Sequence, residues 1–178
     1  SDSYITVAAN KRGLDVIGGG VEVRSCAFEH AYYGIYYINA GVNSKALDTT
    51  FNDTSYAIYS VNSKPILHRC TMTNSTKHVY LSSSEVGYVE MTPDMSKIQF
   101  ADSSSKLKKQ WTVSVTGFKQ TTVNITDINS TVEYSGTTDS SGYKDDIYLT
   151  ERFYYLYGGS VKMRYKTPHF IRFGTNNS

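Results

Sequence analysis

Along the first hundred positions the apolar residues alternate with polar ones in short runs, and the whole pattern recurs. The segments 23–36, 46–59 and 67–80 superpose without gaps, which puts Phe28, Phe51 and Met72 in one register and Ile35, Ile58 and Val79 in another. The copies are 23 and 21 residues apart. A step of 21 back from Phe28 and Ile35 reaches Val7 and Leu14, with Ile5 under Cys26, so a fourth copy opens the chain. The same step forward from Leu67, Cys70 and Val79 reaches Tyr88, Met91 and Phe100, a degenerate fifth. Alternation over so few residues marks strands, not helices. A period near 22 with two or three short strands per copy fits a solenoid of parallel strands, each turn about 4.8 Å above the last.

These positions, Val23, Cys26 and Phe28 followed by Gly34-Ile35-Tyr36, resemble the right-handed parallel β-helix family, in particular NosD-like and carbohydrate-binding or sugar-hydrolase repeats, over residues 4–100. The leucine-rich-repeat consensus, the other fold of similar period, is absent. The resemblance implies about four to five coils over residues 1–100. Stacking then predicts an outer column of Tyr36, Tyr59 and Tyr80, an inner column of Ile35, Ile58 and Val79, and an amide ladder between Asn39 and Asn62. Cys26 and Cys70 share a column with Thr49 between them, about 9.6 Å apart at twice the strand spacing. That exceeds the roughly 7 Å reach of a disulfide, so both are expected as free thiols.

The rhythm ends in a polar run over residues 101–110, which reads as a linker. Beyond it, 111–118, 121–128 and 131–134 alternate with period two, and further strands are predicted over 144–149, 153–157, 160–165 and 169–173, separated by Gly- and Ser-rich turns. This pattern predicts a small antiparallel β-sandwich over 111–178. The Trp111-x-Val-x-Val start, the Thr138-Asp139-Ser140-Ser141-Gly142 turn and the Thr167-Pro168-His169-Phe170-Ile171 ending resemble immunoglobulin-like or carboxypeptidase-regulatory-like domains, which follow β-helix repeats in archaeal and bacterial surface proteins. That family's Gly-Ala-x-Val segment is missing here, which leaves the strand topology open. The fold expected overall is all-β.

Composition narrows the function. Apolar residues make up 39% and charged residues 19%, with 16 tyrosines against one Trp, which suits half-buried β-surfaces. No apolar run approaches the roughly 20 residues of a membrane helix, and a net charge of +2 gives no argument for nucleic acid. The first residues do not read as a signal peptide, so any such segment is expected to lie outside this sequence. Asn52, Asn74, Asn124, Asn129 and Asn176 each head an N-x-S/T acceptor pattern, which together with the Ser/Thr/Tyr bias points to an exported cell-surface glycoprotein.

Chemistry-bearing groups are sparse. Proton-transfer catalysis on a solenoid needs carboxylates, or a carboxylate and a base, gathered by neighbouring turns. The register puts no two carboxylates in one column. His30 stacks on Asp53 with Glu29 nearby, the arrangement of a surface polar pair. Asp139, Asp145 and Asp146 lack the convergence a Ca²⁺ site needs, Gly18-Gly19-Gly20 fits a corner rather than a phosphate loop, and no cofactor, metal or catalytic residue is expected. Tyr32, Tyr33, Tyr37, Tyr154, Tyr155 and Tyr157 are candidates for stacking on glycans or packing on another subunit.

The first recognisable turn begins at Tyr4, so Tyr4, Ile5, Thr6 and Val7 are expected as an uncapped edge, covered by a neighbouring copy in a head-to-tail polymer or by further coils of a longer protein. The expected role is a non-enzymatic, self-assembling structural protein of a surface layer, sheath or filament. The alternatives are a carbohydrate-binding or carbohydrate-processing protein and a trimeric phage or adhesin fibre.

Overall fold

A computed structural model describes the backbone of residues 3–6 and all of residues 11–174. The described chain is strand and turn throughout, apart from a single 3-10 turn at Met95–Lys97. It divides into two compact units, residues 1–108 with 154–162, and residues 109–153 with 163–178.

The first unit is a β-solenoid of five turns with three faces. The first face stacks β1 (Ser3–Thr6), β4 (Cys26–Glu29), β7 (Thr50–Asn52) and β10 (Thr71–Thr73). The second stacks β2 (Arg12–Ile17), β5 (Tyr33–Ile38), β8 (Tyr56–Val61), β11 (Lys77–Ser82) and β13 (Ile98–Phe100). The third stacks β3 (Glu22–Arg24), β6 (Lys45–Leu47), β9 (Ile66–His68), β12 (Glu85–Val89) and the start of β14 (Lys106–Thr116). Rung-to-rung pairings within β1 to β13 are parallel.

Register follows the sequence pattern closely. Phe28 pairs with Phe51 and Phe51 with Met72, while Ile35, Ile58 and Val79 form a fully buried file extended by Leu14 and Ile98. The rings of Phe28 and Phe51 stack at 5.3 Å and 7°. Gly34 makes room for this file, because a Cβ there would sit 2.5 Å from the Phe51 ring. The two cysteines are free, as the column spacing requires.

The described middle turns bend at three corners, and each of these corners opens on a residue in the left-handed region. Gly18, Asn39, Asn62 and Ser83 form one column, Ser25, Asp48, Arg69 and Glu90 another, and His30, Asp53 and Asn74 the third. An L-residue there costs about 1–2 kcal/mol, least for Asn, Asp and His with their local hydrogen bonds. The ladder holds them in place: Asn39 N–H donates to Val61 O at 3.1 Å and Asn62 N–H to Ser82 O at 2.9 Å. The predicted amide ladder is present, Asn62 Nδ2 donating to Asn39 Oδ1 at 2.7 Å. Directly after the first corner column comes a buried file of small residues. There Ala40 N–H donates to Ser63 Oγ, Ser63 N–H to Ser84 Oγ and Ser84 N–H to Ser105 Oγ, at 2.9, 3.1 and 3.2 Å. Outside the second column, charges alternate down the stack: Arg69, bidentate on Asp48 at 2.6 and 3.0 Å, also reaches Glu90 at 3.4 Å, so two carboxylates do share one column, contrary to the register expected from sequence, with the guanidinium between them.

Three expectations are corrected. At the start, Ser3 lies beside Cys26 and Ile5 beside Phe28, not Ile5 beside Cys26; Val7 lies outside the described residues. The gapless copy fails there because five residues separate Thr6 from Arg12 and only three separate Glu29 from Tyr33. At the other end Val79 pairs with Ile98 and Leu81 with Phe100, because the last turn replaces its first-face strand by the tighter 3-10 turn capped by Asp94. Residues 101–110 are not a free linker. Asp102 Oδ2 accepts from Ser83 N–H at 2.6 Å and its Oδ1 from Ser104 N–H at 3.0 Å, forming the fifth turn's corner, and Lys106 already begins β14.

In the second unit, β15 (Thr122–Thr126) pairs antiparallel with β16 (Val132–Thr137) and with β19 (Phe170–Phe173). β17 (Tyr143–Tyr157) and β18 (Ser160–Tyr165) follow β14 side by side in another sheet. The two strands expected over 144–149 and 153–157 are thus one 15-residue strand, whose last residues, with 158–162, belong to the first unit. Val115, Val123, Ile125, Ile147 and Leu149 form the second unit's own buried core.

Truncating the central ring of the Phe file removes packing that both neighbouring rungs share. Phe51→Ala is expected to lower stability by about 3–5 kcal/mol in chemical denaturation. A second expectation concerns acid. Burial pushes the Glu85 carboxyl up, but hydrogen bonds and charge from Lys108 and Lys106 prevail and hold it at about 2. Asp102 is likewise held at about 2, burial being outweighed by donors from Ser104, Ser83 and Ser105. Both lie below their ordinary values of 4.5 and 3.8, so the unfolded chain binds more protons in this interval. Their contribution is therefore complete above about pH 5 and lost as pH falls toward 2. Denaturation midpoints should drop across that window, and Glu85→Gln with Asp102→Asn should be less stable at neutral pH and show a flatter acid limb.

Candidate functional site: a tyrosine wall on the second face

The outward side chains of the second face fall into three columns. Arg12, Tyr33, Tyr56 and Lys77 form the first, Asp15, Tyr36, Tyr59, Tyr80 and Gln99 the second, and Ile17, Ile38, Val61 and Ser82 the third. The strand spacing of about 4.8 Å is close to the contact distance of aromatic rings, so rings in one column touch, stacked for Tyr59–Tyr80, tilted for Tyr33–Tyr56 and edge-on for Tyr36–Tyr59. Tyr59 and Tyr80 stack with centroids 4.2 Å apart and ring planes nearly parallel at 9°. Tyr33 lies 4.5 Å from Tyr59 and 5.5 Å from Tyr56, and Tyr36 lies 5.1 Å from Tyr59. Tyr32 extends the array, 4.6 Å from Tyr33. The Arg12 guanidinium sits 4.5 Å from the Tyr36 centroid while donating to Asp15 at 3.0 Å, closing the wall with a cation over a ring face.

Two phenols of the wall, Tyr33 and Tyr59, are biased to the neutral form. Burial pushes Tyr59 well above its ordinary value of 10, reinforced by a hydrogen bond with Tyr80 and by its tyrosine neighbours. Burial and the adjacent phenols raise Tyr33 as well. The wall is thus a half-buried, uncharged aromatic surface with hydroxyl groups, able to stack on flat apolar faces and to hydrogen-bond around them.

Of the tyrosines expected as contacts, Tyr32 and Tyr33 join this wall. Tyr37 does not: it is fully buried, and neither its hydroxyl nor that of Ser60, beside it in register, has a protein partner. Alternation from buried Ile35 through outward Tyr36 carried this signal. Tyr154 and Tyr155 are half-buried on β17, and Tyr157 near its end is exposed. Tyr56, the wall's other central ring, was missed because its copy reads Ser55-Tyr56-Ala57 where the earlier one has Tyr32-Tyr33-Gly34.

His30 Nδ1 and Asp53 Oδ2 do meet, at 2.8 Å, with both side chains more than half exposed. Glu29 pairs in register with Asn52 and adds no third group to them. Asp139 is engaged as a turn cap, its Oδ1 accepting from Ser141 N–H at 2.8 Å and Tyr143 N–H at 2.9 Å, while Asp145 and Asp146 are exposed. Among the described residues no cluster of His, Cys, Asp and Glu forms a metal-binding group, and no helix is long and apolar enough to cross a membrane. Asn74 and Asn129 are exposed along with the Thr of their acceptor patterns, whereas Asn52 accepts from Asn74 Nδ2 at 3.1 Å and its Thr54 is buried. Asn124 lies within β15, accepting from Ser135 Oγ at 2.7 Å; Asn176 lies outside the described residues. β1 contains Tyr4, Ile5 and Thr6 and stands at the end of its sheet.

Fold and face together define a β-solenoid of about five turns with a half-buried tyrosine array on its second face. No protein-family model, curated protein or solved structure matches the chain.

The burial of the phenols is directly measurable. In a spectrophotometric titration of the native protein, Tyr37 and Tyr59 should remain un-ionised past pH 10, and their absorbance change should appear only with alkaline unfolding. Tyr59→Phe should remove part of that late step.

Proposed function

We propose that the chain is a non-enzymatic extracellular structural protein, a self-assembling subunit of a surface layer, sheath or filament. In this reading the solenoid is a right-handed parallel β-helix and the second unit an immunoglobulin-like sandwich. The observation that carries it is the second face: aromatic and aliphatic columns side by side, with Ile17 71% exposed and Val42, on the following loop, 59% exposed. An apolar surface of this extent on a stiff, regularly repeating scaffold suits contact with another copy. Exposed acceptor patterns at Asn74 and Asn129 support placement outside the cell. The separate apolar core of the second unit, shared by β14, β15 and β17, supports a two-layer packing there.

A second reading, a carbohydrate-binding protein, is favoured by one specific feature. The contiguous rings of Tyr33, Tyr36, Tyr59 and Tyr80, stacked as the pairs Tyr33–Tyr36 and Tyr59–Tyr80, form an aromatic array of the kind sugar rings pack against, with phenol hydroxyls for hydrogen bonds.

Light scattering with negative-stain imaging separates these. Concentration-dependent filaments or sheets that disappear in an Ile17→Asp, Tyr36→Ser variant are expected for the structural role. A monomer at all concentrations contradicts it, and saturable binding of an oligosaccharide by that monomer, lost in Tyr59→Ser, establishes the second reading in its place.

A further inference from the structure

The second unit holds an acid and an amine in an unusual setting. Asp127, at the turn between β15 and β16, is completely buried, and its Oδ2 meets the Nζ of Lys166, itself only 18% exposed. Glu133 Oε1, 15% exposed, stands 3.7 Å from the same nitrogen. The backbone fixes all three. Asp127 N–H donates to Thr131 O and Ser130 N–H to Asp127 O, both at 2.9 Å, closing the turn, while Ile128 N–H donates to Lys166 O at 3.3 Å and Lys166 N–H to Glu151 O at 2.8 Å. The other carboxylate oxygen, Asp127 Oδ1, accepts from the N–H groups of Asn129 and Thr131, each at 2.8 Å.

We propose that this cluster is a self-modifying site in which Lys166 Nζ and Asp127 Cγ are joined by an amide bond, formed by condensation of the folded protein with itself. One oxygen of Asp127 is held by two backbone donors where negative charge develops when an amine adds to the carbonyl carbon, the role of an oxyanion hole. The other lies against the nucleophile. Glu133 is the third party such a reaction needs, a base near the attacking nitrogen.

The charged pair is the resting form, burial being outweighed by Lys166 and the two backbone donors, which hold Asp127 at about 2; the reactive form is the minor one in which the ammonium has passed a proton to Asp127 Oδ2 within their hydrogen bond, giving a neutral amine and a neutral acid. Nζ adds to Cγ, and Oδ1 takes the charge. Glu133 removes one proton from the nitrogen and delivers it to the Oδ2 hydroxyl; the Cγ–Oδ2 bond breaks, water leaves, and the carbonyl re-forms. Of the three ammonium protons, one stays on the amide nitrogen and two leave in the water, and Glu133 ends as it began. No oxidant or activating group is required. Amine and acid free in water do not condense appreciably, but groups held in contact act at effective molarities of about 10⁵–10⁸ M, and burial excludes the competing water. The bond would tie the β15–β16 turn to a segment 39 residues away, in a chain whose two cysteines are free.

Intact-mass spectrometry of the full-length purified protein tests this directly. The wild type should be lighter than its sequence by one water, with the loss mapped by proteolysis to a branched peptide containing Asp127 and Lys166. Lys166→Arg, which keeps the charge but not the nucleophilic amine, should have its full sequence mass, and Glu133→Gln should slow bond formation at least tenfold. A folded wild type of full sequence mass overturns the proposal, as does a water loss mapped elsewhere. Full-rate bond formation in Glu133→Gln overturns the part assigned to Glu133.

Discussion

The structure depends on one constraint, the stacking of each turn on the next at the spacing of parallel strands with corners held in line. A solenoid of three short faces must bend three times per turn, and in the middle turns each bend opens on a left-handed residue. Most of these are not glycine, so most corners are strained on their own. Each persists because its amide is tied to the carbonyl of the following rung and, at Asn39–Asn62 and Asp48–Arg69, because side chains repeat the tie. Local strain and long-range register therefore fix each other. The buried serines just past the corners serve the same end, taking up amide protons that the face strands do not.

The same stacking produces the outer surface. A residue repeated once per turn becomes a column whose members are separated by the strand spacing, so a recurring tyrosine becomes a file of touching rings and a recurring isoleucine an aliphatic strip. Neither column is needed to fill the interior, which Phe28, Phe51, the Ile35 file and Leu67 already occupy. A surface of this kind is a by-product of the fold in its regularity, and a specific property of this sequence in its chemistry. The second unit carries its polar investment inside instead, in the buried cluster around Asp127.

Much of this was legible from the sequence because the side-chain period ties burial to register. Once Ile35, Ile58 and Val79 are aligned, Tyr36, Tyr59 and Tyr80 must point outward, and the asparagines at 39 and 62 must meet. The failures have equally physical causes. Tyr37 was placed outside because a run of tyrosines hides the parity that Ile35 reveals. The first and last turns depart from the gapless repeat because corner length varies independently of strand length. Residues 102–105 read as a linker because serines and an aspartate suit exposed coil and corner alike; only the Ser63 and Ser84 precedent distinguishes them. The Asp127 cluster had no sequence signal beyond a turn, since its partner stands 39 positions away.

The claim underlying the rest is the file of Phe28, Phe51 and Met72, and nuclear Overhauser contacts in solution test it most directly. With the Met72 methyl selectively labelled, the account predicts strong cross-peaks to the Phe51 ring, with the Phe51 ring in turn showing contacts to Phe28. Contacts from the Met72 methyl to the Phe28 ring in place of Phe51, or none to either, would contradict the stacked solenoid.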